Sequence, residues 1–196
     1  MFAALQALLN TCAVSFDLPI LEWIQAHLQC GFLDKAMPIV TLFGDGGVFW
    51  ILVAVTLLFF AKYRKTGFSM GMALVLGLLV CNIILKPQVA RIRPYDFQLE
   101  HFQKEITLLI SAQHDFSFPS GHTIASFEAC TVLMLHDKRM GIPATILAIL
   151  IAFSRLYLYV HYPTDVLVSL VLGILGNFLV NLIYKKFVYK GKYIEE

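Results

Sequence analysis

Apolar residues run through this chain in long blocks separated by short polar punctuation. Five blocks stand out, at residues 47–61, 68–85, 120–135, 142–158 and 164–184. Several lie near the lower length limit for crossing a bilayer as a helix. Ahead of them, "FDLPILEWIQAHLQCGFLDKAMPIVTLFGDGG" mixes apolar and charged residues. That stretch predicts interfacial helices or one partial span, closed by a hinge-like turn at "GDGG". The expected fold is therefore all-α: a polytopic membrane bundle of about five to six transmembrane helices plus interfacial helices. Residues 1–196 are expected to form one domain, with 1–46 as its interfacial or partial-span segment.

Composition agrees. Of 196 residues, 59% are hydrophobic and 14% charged, with mean hydropathy +0.75, more apolar surface than a soluble domain of this size can hide. A net charge of +2 gives no support to a nucleic-acid partner. Cys12, Cys30, Cys81 and Cys130 lack metal-ligand spacing and read as buried, inert thiols. The N-terminus has no Lys or Arg in its first sixteen residues, so it lacks the charged start of a secretory signal peptide.

Charge also orients the chain. "KYRKTG", "HDKRMG" and "YKKFVYKGKYIEE" hold nine of the fifteen basic residues. The positive-inside rule assigns those segments to the cytoplasm and leaves Lys35, Lys86, Arg91, Arg93, Lys104 and Arg155 on the other side.

Three polar clusters fall on that second side: "KPQVARIRP" at 86–94, "PSGH" at 119–122 and "SRLYLYVHYPTD" at 154–165. Lys86, Arg93 and Arg155 provide cations, the arginines able to bind oxygens in pairs. Ser120 is a good N-cap, which puts Gly121 and His122 in a first helical turn. The free N–H groups and dipole there favour an anion, and Gly121 lets an oxygen approach the backbone closely. Pro163 suits a first helical position with Tyr162 at the cap, so Asp165 can reach back to accept the N–H of His161.

These clusters, K-x6-R-P, P-S-G-H and S-R-x5-H-x3-D, resemble the signature of the type-2 phosphatidic acid phosphatase superfamily, the lipid phosphate phosphatases. The match runs from Lys86 to Asp165 without departure; the N-terminal third lies outside it. The resemblance implies an integral-membrane phosphohydrolase acting on a lipid phosphate or diphosphate. It implies His161 as the nucleophile forming a phosphohistidine, His122 as the general acid and Asp165 as the residue orienting His161. Lys86, Arg93, Ser120, Gly121 and Arg155 become the phosphate-binding set. No metal, cofactor or obligatory protein partner is expected, since lysine and arginines take over charge stabilisation. By analogy with small members of the family, the substrate is expected to be an undecaprenyl-diphosphate-type polyprenyl carrier. Phosphatidylglycerophosphate, phosphatidate, diacylglycerol diphosphate and phosphoryl transfer to another lipid remain open. A vanadium haloperoxidase shares the anion pocket but is soluble. A binding or transport protein would not need an acid and a nucleophile together.

The site is expected to open on the extracytoplasmic side of the plasma (inner) membrane, with the C-terminus in the cytoplasm. Two features stand apart. Leu99, Phe102, Ile106, Leu109 and Ile110 share one face of an expected helix, with Glu100 and Lys104 paired. That helix is either an interfacial element at the site entrance or a packed connector. Glu128 is the single acidic residue inside a span; it is a functional candidate by location, read here as a structural hydrogen-bonding group for Asn82, Asn177 or Asn181.

Overall fold

A computed structural model describes residues 2–184, and every regular element among them is helical. Helices α1 (Phe2–Cys12) and α2 (Leu18–Leu28) join through a π turn at Ala13–Asp17 into one long rod. Then come α3 (Gly31–Leu42), α4 (Val48–Phe59) and α5 (Arg64–Leu78), the last running through a π segment, Leu79–Leu85, into α6 (Lys86–Val89). Helix α7 (Pro94–Phe102) precedes an irregular stretch, and α8 (Gly121–His136), α9 (Lys138–Tyr157) and α10 (Pro163–Tyr184) complete the order.

Five segments are long and apolar enough to cross a membrane, 4–28, 31–59, 61–102, 138–157 and 163–180. The chain is a multi-pass membrane protein. The expected span at 120–135 is absent from those five because α8 has only 16 residues, a rise of about 24 Å at ~1.5 Å per residue. It is nevertheless the axis of the bundle, packed against α5, α9 and α10.

Lipid gives little hydrophobic drive to hold helices together, so backbones must approach closely for packing to stabilise them. Glycines permit that at three interfaces. A Cβ on Gly141 of α9 would stand 2.3 Å from the Met134 backbone of α8. At Gly173 of α10 it would meet Ile124 O of α8 at 3.0 Å, and at Gly67 of α5 it would meet Ala54 O of α4 at 2.6 Å. Trp50, Met70, Ala73, Phe127, Ala129 and Ile151 fill the centre.

The α1–α2 rod touches the bundle differently. The Leu9 carbonyl accepts from Arg91, Asp17 meets Arg91 and Thr164, Glu22 meets Gln98 and Lys104, and Gln25 donates to the Tyr157 carbonyl. Those partners all belong to the end of the bundle that carries the three motifs, while the contact points span about 24 Å of rod at ~1.5 Å per residue. A helix standing upright beside the bundle could touch that end at one level only. The rod therefore lies across it.

Three expectations change here. The helix through 99–110 stops at Phe102, where Gln103 takes a left-handed conformation (φ 52°) as its C-terminal cap. Lys104 consequently leaves the α7 face and pairs with Glu22 at 2.7 Å rather than with Glu100. Only Cys81 and Cys130 are buried; Cys30 is exposed and Cys12 half-buried, and all four are free. Finally, Asn177 donates to the Glu128 backbone carbonyl, not to its carboxylate, and Glu128 Oε2 has no hydrogen-bond partner among the described residues. The Asn181 side chain lies outside what is described, as does the basic segment after residue 184.

Candidate active site

The motif that begins the site is cut from the end of α5–α6. Helix α6 closes at Ala90, whose left-handed backbone (φ 49°) turns the chain so that Lys86 and Arg93 face the same space. The second motif opens α8. Ser120 is its N-cap and accepts from the Thr123 N–H at 3.4 Å, as the sequence pattern predicts. Ser120 itself is fully buried, and its own N–H donates to Ser169 Oγ at 2.7 Å. Gly121 and His122, one step further, line the cavity. The third motif ends α9 with Arg155 and starts α10 with Pro163, leaving His161 in the connection between them.

His161 is buried beside three cations. Its Nε2 lies 3.4 Å from Arg93 Nη1, which also donates to the Val160 carbonyl at 2.7 Å. Its Nδ1 faces Asp165 Oδ2 at 3.4 Å, without hydrogen-bond geometry. Burial, then the charges of Arg93, Arg155 and Lys86, push the imidazole well below its ordinary range. The ring is thus neutral near pH 7, with Nε2 turned toward the cations.

Asp165 is gripped more firmly than its motif suggests. Its Oδ2 accepts the Tyr162 N–H at 3.0 Å, the capping geometry expected of a carboxylate in a first turn. Its Oδ1 accepts from Arg91 Nη1 at 2.5 Å, and Arg91 Nη2 donates in turn to Asp17 at 2.7 Å. All three side chains are wholly buried. Arg91 also lies over the Tyr162 ring at 3.7 Å.

Lys86 and Arg93 both hold the carboxylate of Asp115, and Arg93 Nε donates to the Asp115 carbonyl at 2.9 Å. Burial raises that carboxyl, but hydrogen bonds and charge from Lys86 and Arg93 outweigh it and keep it below the usual range. An anion at this point is what the two cations are placed to bind. Arg155 differs: Nη1 donates to Thr41, while buried Nε and Nη2 have no partner among the described residues. Across the cavity, His122 Nε2 lies 2.7 Å from Asp45 Oδ1.

These groups form the polar end of a cavity of about 610 Å³. Its other end runs between α4 and α5, where Ile51, Val55, Leu58, Met72 and Val75 make an apolar wall. Charge therefore concentrates at one end of a channel whose remainder suits hydrocarbon.

Of the residues singled out from sequence, Lys86, Arg93, Gly121, His122, Arg155 and His161 meet in this cavity. Ser120 and Asp165 stand just behind its wall, as cap and as support. Sequence reading missed Asp17, Asp45, Arg91 and Asp115. Arg91 sat in plain view inside the first motif, and Asp45 inside "GDGG". Asp17 and Asp115 carried no local signal, since only folding brings them to the site.

The family model of the PAP2 superfamily matches residues 66–189. An undecaprenyl-diphosphatase of Sulfolobus acidocaldarius is 32% identical over 167 residues, covering 85% of this chain and 77% of that protein. Phosphatidylglycerophosphatase B of Bacillus subtilis is 31% identical over 193 residues, covering 91% and 89%. A crystal structure of a transmembrane PAP2-type phosphatidylglycerolphosphate phosphatase from Bacillus subtilis superposes with a TM-score of 0.73 at 28% identity, covering 95% of this chain and 93% of that one. The chain belongs to the PAP2 superfamily. It is a hydrolase, a membrane lipid phosphatase.

Proposed function

We propose that the chain removes a phosphate from a polyprenyl diphosphate of the undecaprenyl type, through a phosphohistidine on His161. The observation that carries this reading is the buried Nε and Nη2 of Arg155, without a partner among the described residues, beside Lys86, Arg93 and His161 at the mouth of an apolar channel. Lys86, Arg93 and Arg155, with the amides at the start of α8, cradle the phosphoryl oxygens once Asp115 gives up its two cations. His161 Nε2 attacks phosphorus, and the Nε2–P bond forms as the bond to the leaving oxygen breaks. That oxygen keeps the electron pair of the broken P–O bond and takes a proton from His122. Asp165 offsets the positive charge that develops on His161, and water then hydrolyses the phosphohistidine. The hydrocarbon tail stays between α4 and α5.

The relatives include both a polyprenyl-diphosphate phosphatase and a glycerophospholipid phosphatase, so substrate is the point to test. Purified protein should release phosphate fastest from undecaprenyl diphosphate in a panel that includes phosphatidylglycerophosphate, phosphatidate and diacylglycerol diphosphate. Faster turnover of phosphatidylglycerophosphate would replace this substrate assignment. Activity should persist in excess EDTA, because the cations supply the charge that a metal would.

The reading places the site on the extracytoplasmic side. Lys62, Arg64, Lys138 and Arg139 lie at the opposite end, where Tyr63 reaches Asp137 at 3.5 Å, and positive loops stay in the cytoplasm. In cells expressing a cysteine-free background, Ala112→Cys should react with an impermeant thiol reagent and Lys138→Cys should not. The reverse pattern would invert the orientation.

A further inference from the structure

The turn "GDGG" between α3 and α4 is shaped around one contact. Gly46 and Gly47 both adopt left-handed backbone, φ 55° and 68°, and thereby hold the short turn that projects Asp45. Gly44 has no room for a side chain, because a Cβ there would stand 2.6 Å from His122 Cδ2 and 2.9 Å from Ile151 Cγ2. The outcome is a carboxylate 2.7 Å from His122 Nε2, reaching 77 positions along the chain. A turn meant only to redirect the backbone would need neither the tight fit against the imidazole nor an acid at its tip.

We propose that Asp45 is the positioning residue of the acid: it holds His122 through Nε2 and so leaves Nδ1 to carry the proton that the leaving oxygen takes. With Nε2–H committed to Asp45, Nδ1 is the nitrogen left to face the leaving oxygen. To donate from Nδ1 while retaining Nε2–H, the ring must be imidazolium when the P–O bond breaks; burial and the charges of Arg155 and Lys86 oppose that form, and the Asp45 carboxylate is the group that offsets them. In the step itself the P–O bond breaks and its electron pair goes to the leaving oxygen. The Nδ1 proton passes to that oxygen, and the ring is left neutral with its Nε2–H still on Asp45. Asp45 touches no reacting atom. The proposal rests on His122 being the general acid.

Leaving-group dependence tests it. A good leaving group departs without a proton, whereas a poor one needs the acid. On the intact purified protein, kcat/KM would be measured for 4-nitrophenyl phosphate, phenyl phosphate and a short-chain phosphatidic acid, in order of rising leaving-group basicity. Asp45→Asn should leave 4-nitrophenyl phosphate within about threefold of wild type and reduce phosphatidic acid by about 10–100-fold, a fraction of what a general acid supplies. His122→Ala should show the same trend, more steeply. Asp45→Ser serves as a second variant, and thermal melting in detergent confirms that each folds.

Equal loss on all three substrates would mean that Asp45 only supports structure, and would overturn the proposal. So would no loss at all while His122→Ala keeps its steep trend, in which case the acid reading survives alone. A flat trend for His122→Ala would remove the acid role from His122 and the proposal with it.

Discussion

The two histidines of this site each face an aspartate, yet their surroundings are opposite. His161 is sealed: its aspartate is wholly buried and braced by Arg91, which is braced in turn by Asp17 from the α1–α2 rod. His122 looks out on the cavity, and the side chain of its aspartate is 57% exposed on a glycine-rich turn. The difference follows from what each ring must do. A nucleophile has to present one lone pair in one direction, so its support is packed, charged and immobile. An acid must lose and regain a proton every turnover, so its support has to remain open to water.

The sharpest way to break that comparison is to remove the nucleophile. His161→Ala should lower kcat below about a hundredth of wild type and leave no acid-labile phosphoenzyme, because it removes the imidazole whose Nε2 lies against Arg93 at the cation cluster. Detectable phosphoenzyme in that variant would place the covalent step elsewhere.

Breaking the brace comes next. Arg91→Ala would leave Asp17 and Asp165 buried and unneutralised, and losing one partner of a buried pair costs about 3–5 kcal/mol. Denaturation in detergent micelles should show that loss, together with reduced kcat. Asp45→Ala, removing an exposed partner, should change stability far less. Equal destabilisation by the two would mean that the sealed and open sites are supported alike.

A smaller effect concerns pH. Burial and three cations depress His161, so it stays neutral, and competent to attack, as pH falls through its ordinary value of about 6.5. The acid limb of kcat/KM should therefore lie below 6.5. A limb at or above that value would mean that the nucleophile is not sealed as described.

The smallest change is expected at Asp115, whose carboxylate sits on Lys86 and Arg93 where a phosphate would bind. Asp115→Asn removes that competing charge. It should tighten inhibition by inorganic phosphate by roughly threefold to tenfold, about 0.7–1.4 kcal/mol, with kcat little altered. Weaker inhibition would make Asp115 part of the binding site itself.

The chemistry was legible in the sequence wherever it depends on local spacing. "PSGH" predicts an N-cap and a first turn, and Ser120 caps α8. "HYPTD" predicts a carboxylate reaching back to accept from His161; Asp165 does return to its own helix start, but it accepts the Tyr162 N–H and stands 3.4 Å from His161 Nδ1 without hydrogen-bond geometry. Periodicity overran at α7 because Gln103 breaks the helix with a left-handed residue that no apolar pattern announces. Blocks of apolar residues determined that the chain lives in a membrane, since lipid is the only solvent that tolerates them, and the three motifs determined its class of reaction. Only the tertiary structure decided what stands behind each reactive group. Asp17 meets Arg91 across 74 positions and Asp45 meets His122 across 77, distances at which sequence carries no geometric signal. A buried charge accepts whatever partner the fold delivers, and the α1–α2 rod and the glycine turn deliver theirs only after the bundle has closed.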